Sequence, residues 1–412
     1  MRPADGARGM EVLFVTSTLP YPPNSGSTIR TYNLIRRLAG DHRLHLVAYG
    51  SLPQDSAKVH HLGRSCASVT VVPLRETKRT PRFYLELLLN LLSPSPFVVS
   101  RFTRPAMARA IREIVGARRL DVIHCDFLTL SLNLPEHDHP PVIATAHNVE
   151  SVIWKRYLAH ERNPLKAAYI YVQYRKLLRF ERKILGRFDG IACVSEDEEE
   201  QLRRICPSAR FFVVPNGVDV EHFTPVPDVE APHHLVFTGS MDWRPNQDAV
   251  RFFLDRIYPR IKKAEPRASL SIIGRDPPAS LKTEALAHED VRVVGTVPDM
   301  RPHLASAAVY IVPLRIGGGT RLKILEAMAM ARPVVSTRVG CEGLSVVPDR
   351  DLLVADSPDE FARAVLRLLG DRALAGSMGQ AGHRAVREAY DWGPIAVKLA
   401  EAWREAASGR RR

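Results

Sequence analysis

Short apolar runs rich in valine and isoleucine recur along this chain. Each is followed by a loop of breakers and then by apolar positions in helical rhythm. The first, EVLFVTS at Glu11–Ser17, passes through PYPPNSGS into an amphipathic stretch at Thr28–Leu38. Arg43–Tyr49, Asp121–Phe127, Pro141–His147, Asp189–Ser195 and Phe211–Pro215 repeat the style. These runs do not alternate apolar with polar residues, so both faces of each strand are covered. Strand–helix alternation of this kind predicts a parallel sheet between two layers of helices.

A second series begins at His234–Ser240, with a helix near Gln247–Ile257. It continues through Ser269–Gly274, Val291–Val297, Ala308–Leu314, Pro333–Thr337 and Leu352–Asp356. Between the two series lies PNGVDVEHFTPVPDVEAP, Pro215–Pro232, dense in proline and other breakers. The chain therefore divides into a first domain at 10–215, a linker at 216–232, a second domain at 233–389 and a terminal helix at 390–408. A length of 412 residues suits two domains. The predicted class is α/β, two doubly wound Rossmann-like domains. Open sheets of this kind bind ligands beyond the carboxyl ends of their strands, so the residues just after each run are the candidates for chemistry.

Composition narrows the setting. The chain is 45% hydrophobic and 25% charged, which excludes a disordered chain. Its formal net charge of +13 calls for anionic company: nucleic acid, a membrane face or a phosphorylated substrate. The segment Trp154–Arg187 interleaves aromatic residues with Lys and Arg. No nucleic-acid module accompanies it, so no nucleic-acid partner is expected. A basic helical face meeting a membrane surface or an anionic headgroup, and a plain solvated helix, are the readings left. The five cysteines are odd in number and scattered, as reduced thiols are. Val12–Val15 is too short for a signal-peptide core, and Phe83–Val99 is broken by Glu86, Asn90 and Ser93–Ser95. A cytoplasmic protein is expected, with peripheral placement on a membrane face left open.

The most informative motif is IGGGTRLKILE, Ile316–Glu326, which follows the run AVYIVPLR. Gly317, Gly318 and Gly319 let backbone approach a ligand closely. A helix is expected to start near Thr320, with Leu322, Leu325 and Ala329 on one face. Its first turn carries Arg321 and Lys323, the wrong sign for a helix N-terminus, which is already partly positive. A bound diphosphate reverses that penalty, because backbone amides, helix dipole and two cations then converge on one anion. The plainer alternative is a glycine-rich turn with incidental surface cations. Glu326, one turn further on, is placed to accept hydrogen bonds from ribose hydroxyls or to lie on a solvated surface. Neither GxxxxGK nor GxGxxG is present.

Taken in order, PPNSGSTIRTYNLIRRL, AHNVES, CVSE, VPNGVD, FTGSMDWRPN, GTVPDMRPHLASA and GGGTRLKILEAMAMARPVVST span nearly the whole chain. In that order and spacing the chain resembles the retaining GT-B glycosyltransferases of family 4. The resemblance implies two domains facing across a cleft, the second for a nucleoside diphosphate sugar and the first for the acceptor. It also implies a terminal helix crossing back to the first domain. By the same resemblance Asn24, Ser25 and Gly26 meet the donor phosphate and transferred sugar, and Arg30 contacts a phosphate or the acceptor. His147 lies by the transferred sugar, presenting its backbone carbonyl, with Asn148 on the acceptor side. VPNGVD is the hinge, while Gly239, Ser240 and Arg244 border the diphosphate, and Gly274, Arg275 and Val297 flank the base.

Two departures stand out. Where many relatives carry an Arg and a Lys on the diphosphate, this chain has Ser240 and Pro245. Arg321 and Lys323 are the natural replacements, with help from Arg244. In the family's E-x7-E pattern Glu326 matches the second glutamate, but Gly318 stands at the first. Two acidic motifs read as structure. Asp349–Asp351, DRD, is a turn, and SEDEEE at Ser195–Glu200 is a helix start with Ser195 and Glu198 as a capping box.

The expected activity is sugar transfer to a glycan or lipid-linked acceptor with retention, in exopolysaccharide or cell-surface glycan synthesis. No metal and no cofactor beyond the substrate are expected. Its electrostatic need is donors for the charge growing on the leaving phosphate, met by Arg321, Lys323, the Gly317–Thr320 amides and the Asn24–Gly26 loop. A catalytically silent nucleotide-sugar-binding subunit and a GT-B-like nucleotide-sugar epimerase remain as alternatives.

Overall fold

A computed structural model describes residues 9–74, 80–226, 231–316 and 322–409. The chain forms two compact units, one of residues up to Pro215 joined by those from Gly393 onward, the other Asn216–Trp392.

The first unit holds a seven-stranded sheet in the order β3-β2-β1-β4-β5-β6-β7. Its strands are β1 (Glu11–Thr16), β2 (Arg43–Gly50), β3 (Ser68–Pro73), β4 (Val122–Cys125), β5 (Val142–Ala146), β6 (Gly190–Cys193) and β7 (Phe211–Val213), and every pairing is parallel. Leu13, Val15, Val47, Ile123, Cys125, Ala144, Ile191 and Cys193 build its core, as runs apolar on both faces require. β3 is an addition to the predicted strands. It lies at the sheet edge, half-buried along most of its length, where apolar patterning is weakest.

The second unit has six parallel strands in the order β10-β9-β8-β11-β12-β13. They are β8 (His234–Thr238), β9 (Ser269–Ile273), β10 (Val291–Gly295), β11 (Val309–Val312), β12 (Val334–Ser336) and β13 (Leu353–Val354). In both sheets the chain order reverses beside the first strand, between β1 and β4 and between β8 and β11. That reversal opens a crevice at the carboxyl ends, where ligands of such sheets bind.

The terminal helix, Trp392–Gly409, joins the first unit from Gly393 onward. Its Trp403 is fully buried, packs edge-on against Phe14 and His42, and donates from Nε1 to His124 Nδ1 at 3.2 Å. Residues 216–226 belong to the second unit, where Val218 N donates to Tyr390 O at 2.8 Å. The predicted turn at Asp349–Asp351 is stapled from within: Asp351 is buried, accepts from Val347 N at 2.8 Å and holds Arg350 through both carboxylate oxygens. Ser195 Oγ accepts from Glu198 N at 3.2 Å and starts the helix Glu196–Ile205. All five cysteines are free thiols.

Candidate functional site

In the second unit the polar groups collect beyond β8. Gly239 N donates to Ile273 O at 2.9 Å, which brings the ends of β8 and β9 together. The contact is so close that a Cβ on Gly274 (φ +151°) would stand 1.8 Å from Gly239 O. Only glycine fits there. The helix Arg244–Phe252 begins with Pro245 buried in its first turn, a place where proline's missing N–H costs nothing. It presents Asn246, also buried, back toward the strand: Asn246 Nδ2 donates to Ser240 O at 2.8 Å.

Lys323 reaches this point from the first turn of the helix Leu322–Ala329. Its Nζ donates to Asn246 Oδ1 at 2.9 Å and lies 4.4 Å from the centre of the Phe237 ring. A Cβ on Gly239 would meet both Lys323 Nζ and Asn246 Nδ2 at 2.7 Å, so the ammonium rests on bare backbone. Glu326, one turn on, is half-buried. Burial pushes its carboxyl up to about 7, and the Lys323 charge works against that rise. Tyr310, on the neighbouring β11, is fully buried with its hydroxyl 2.5 Å from Thr238 Oγ1.

Arg275 follows β9 and turns to the same loop. Its Nε donates to Ser240 Oγ at 2.6 Å, and Ser240 Oγ donates to Asp242 Oδ1 at 2.5 Å. An arginine from the end of the neighbouring strand is thus held at Ser240. Arg244 is exposed at the start of its helix, and Val297 is half-buried two residues beyond β10 at the sheet edge. Gly317, Gly318, Gly319, Thr320 and Arg321 lie outside the described residues.

In the first unit the hub is Asp126, buried just after β4, which sequence reading passed over. Its Oδ2 accepts from Thr16 Oγ1 at 3.1 Å and Thr31 Oγ1 at 2.5 Å, tying the end of β1 to the following helix. Burial works to raise this carboxyl, but the hydrogen bonds and charges of His124 and His147 hold it well below the usual carboxylate range. His147, just past β5, donates from Nε2 to Asp126 O at 2.7 Å and stacks on Phe127 at 4.3 Å. The ring is thereby fixed in orientation and, when neutral, in tautomer.

Asn24 and Gly26 are exposed beyond β1, on the same crevice edge as Asp126. Ser25 N donates to Thr28 Oγ1 at 3.0 Å at the start of the helix Gly26–Leu38. Asn148 bonds the Glu150 carboxyl, which burial, and then the Glu181 charge, push up to about 7.

Arg30 requires a correction. It was expected to contact a phosphate or the acceptor. Instead it is fully buried, donating to Val214 O at 2.9 Å and Pro215 O at 2.7 Å. Burial lowers its pKa to about 10, against the raising charges of Asp126 and Glu198. It staples the helix Gly26–Leu38 to the chain leaving β7.

Among the described residues no group of three His, Cys, Asp or Glu side chains is arranged to hold a metal ion. Likewise no described helix is long and apolar enough to cross a membrane.

Two doubly wound parallel sheets, each gathering polar groups at its switch point, make the GT-B architecture. A model of glycosyltransferase family 4 matches residues 24–222, and one of glycosyl transferases group 1 matches 232–371. The chain belongs to this family and is a glycosyltransferase. It is 21% identical over 368 residues to an uncharacterized 44.6 kDa protein in the cps region of Klebsiella pneumoniae, covering 86% of this chain and 90% of that one. It is 30% identical over 231 residues to the GDP-mannose-dependent alpha-(1-6)-phosphatidylinositol monomannoside mannosyltransferase of Mycolicibacterium smegmatis, covering 50% of this chain and 58% of that one. Sucrose-phosphate synthase from Thermosynechococcus elongatus superposes with a TM-score of 0.75 at 19% identity, over 97% of this chain and 100% of that one. The Anabaena HepE protein solved with UDP-glucose does so at 0.67 and 13%, over 95% and 99%. At these identities the structures speak for the fold alone.

Proposed function

We propose that this glycosyltransferase moves a sugar from a nucleoside diphosphate sugar to a glycan or lipid-linked acceptor with retention of configuration, in the synthesis of a cell-surface polysaccharide. The observation carrying this reading is Lys323, held on the backbone of Gly239 by Asn246 at the carboxyl end of β8. An ammonium there, at a helix N-terminus and beside bare backbone, suits a diphosphate. Arg275, drawn to Ser240, adds a second cation where the family arginine is missing. Glu326 accepts from the ribose diol.

In this reading the second unit holds the nucleotide and the first the acceptor. Charge on the leaving phosphate is met by these cations without a metal. His147 is held in place by Asp126 O to present its backbone to the transferred sugar. The relatives support the polysaccharide and lipid-linked contexts by their cps location and their phosphatidylinositol mannoside substrate.

The test is a panel of UDP- and GDP-sugars, read first by thermal shift and then by turnover in the presence of EDTA. One donor should raise the melting temperature. Lys323→Met should weaken that donor at least about tenfold, the value of one charge-assisted hydrogen bond. Unchanged affinity in Lys323→Met would remove the diphosphate assignment.

A further inference from the structure

The helix Pro81–Asn90 turns its apolar side outward. Tyr84, Leu85, Leu88 and Leu89 are 59%, 56%, 64% and 58% exposed, and Leu92 just beyond it is 88% exposed. Spaced at i, i+1, i+4, i+5 and i+8, they form one continuous stripe. A lone exposed leucine needs no explanation, whereas a stripe of this kind does.

The far end of this helix is firmly anchored. Asn90 is buried, accepting from Lys176 Nζ at 2.6 Å through its backbone carbonyl and from Gln173 Nε2 at 3.0 Å through Oδ1. Phe97 N donates to Gln173 Oε1 at 2.9 Å just after it. The stripe therefore stands beside the helix Pro164–Ile184, which supplies Gln173 and Lys176.

That second helix is cationic on its outer face. Arg175, Arg179, Arg182 and Lys183 are exposed, while Glu181, its single acidic residue, is 1% exposed. Exposed Tyr171 lies beside these cations, with Arg175 donating to its hydroxyl at 2.9 Å, and exposed Leu165 stands at the start of the same helix. An apolar stripe beside a helix with no exposed carboxylate is the pattern of an interfacial element on an anionic bilayer.

We infer that these two helices dock the protein on an anionic lipid surface, the leucines entering the acyl boundary and the cations lying over the headgroups. A second copy of the chain is a poorer occupant. It would bring two such cationic helices face to face, a like-charge juxtaposition that disfavours the pairing. The inference rests on the proposed function only for its purpose, delivery of a lipid-linked acceptor.

The test is co-sedimentation of the full chain with vesicles of phosphatidylcholine, with and without phosphatidylglycerol, at low and high salt. The protein should pellet only with phosphatidylglycerol present, and less so in high salt. The combined variant Leu85→Ser, Leu88→Ser, Leu89→Ser should lose at least about tenfold in partitioning. Arg175→Glu with Arg179→Glu should lose as much, and both variants should keep the wild-type donor-induced thermal shift. The inference falls if the wild type stays in the supernatant throughout, or if either variant pellets like the wild type. It falls also if sedimentation velocity shows a dimer that the leucine variant abolishes, which assigns the stripe to a second copy. Loss of the donor shift in the wild type, with vesicle binding intact, would instead count against the donor reading alone.

Discussion

Replacing Gly274 by alanine tests how the donor end of the second unit is built. The new Cβ would stand 1.8 Å from Gly239 O and 2.6 Å from Gly239 C, both backbone atoms that cannot rotate away. The φ of +151° adds strain that an L side chain rarely tolerates. Overpacking and strain together cost about 3 kcal/mol or more. For a unit of this size that is roughly 6–12 °C in melting temperature. Relief must come from moving Gly239 away from β9. That displaces the backbone on which Lys323 Nζ and Asn246 rest, so the donor-induced shift should fall as well. Gly295→Ala is the control, because its φ of +84° is also left-handed but nothing lies within 4 Å of the new methyl. It should cost about 1 kcal/mol from strain alone and leave donor binding intact. Scanning calorimetry with and without donor reads both effects. If Gly274→Ala melted with Gly295→Ala and kept the donor shift, the close approach of β8 and β9 would not be what shapes this site.

Three further outcomes follow from buried charge. Glu326 has its carboxyl near 7 before donor binds, and a ribose diol donating to it lowers that value. Donor binding should therefore release protons just below neutral pH, seen as a dependence of calorimetric heat on buffer ionisation enthalpy and abolished by Glu326→Gln. Burial holds Glu181 up at about 7, so the native state binds its proton more tightly than the unfolded chain. Its stability contribution is full below about pH 4.5 and is lost as pH rises through about 7, so Glu181→Gln should gain stability over wild type at about pH 8 and little at about pH 4. Arg30→Met leaves the Val214 and Pro215 carbonyls without their donor and should lower stability of the first unit by about 3 kcal/mol in urea, with little change in donor affinity.

Much of this protein was legible in one dimension. Strands apolar on both faces imply a sheet covered on both sides, and the series on either side of Pro215–Pro232 implied two such sheets. The residues just after β1, β5, β8 and β9 were candidates because parallel sheets place ligands at carboxyl ends, a rule that needs only strand positions. The edge strand β3 escaped because an edge needs apolar residues on fewer positions.

Side-chain pairing over long sequence distance was decided by the tertiary structure. Nothing in the spacing of Gly239, Asn246 and Lys323 says that an ammonium 77 positions away from Asn246 rests on its amide oxygen. Arg30 reads as a ligand contact from its place after a glycine-rich loop, yet its carbonyl partners lie 184 and 185 residues away. Asp126 reads as the polar end of a strand until Thr16, Thr31 and His147 close around it. Periodicity is a property of neighbours in sequence and is set by local backbone geometry, so the chain alone carries it. Whether a cation faces a ligand or a buried carbonyl depends on which distant backbone leaves its donors and acceptors unmet, and only folding brings those groups together.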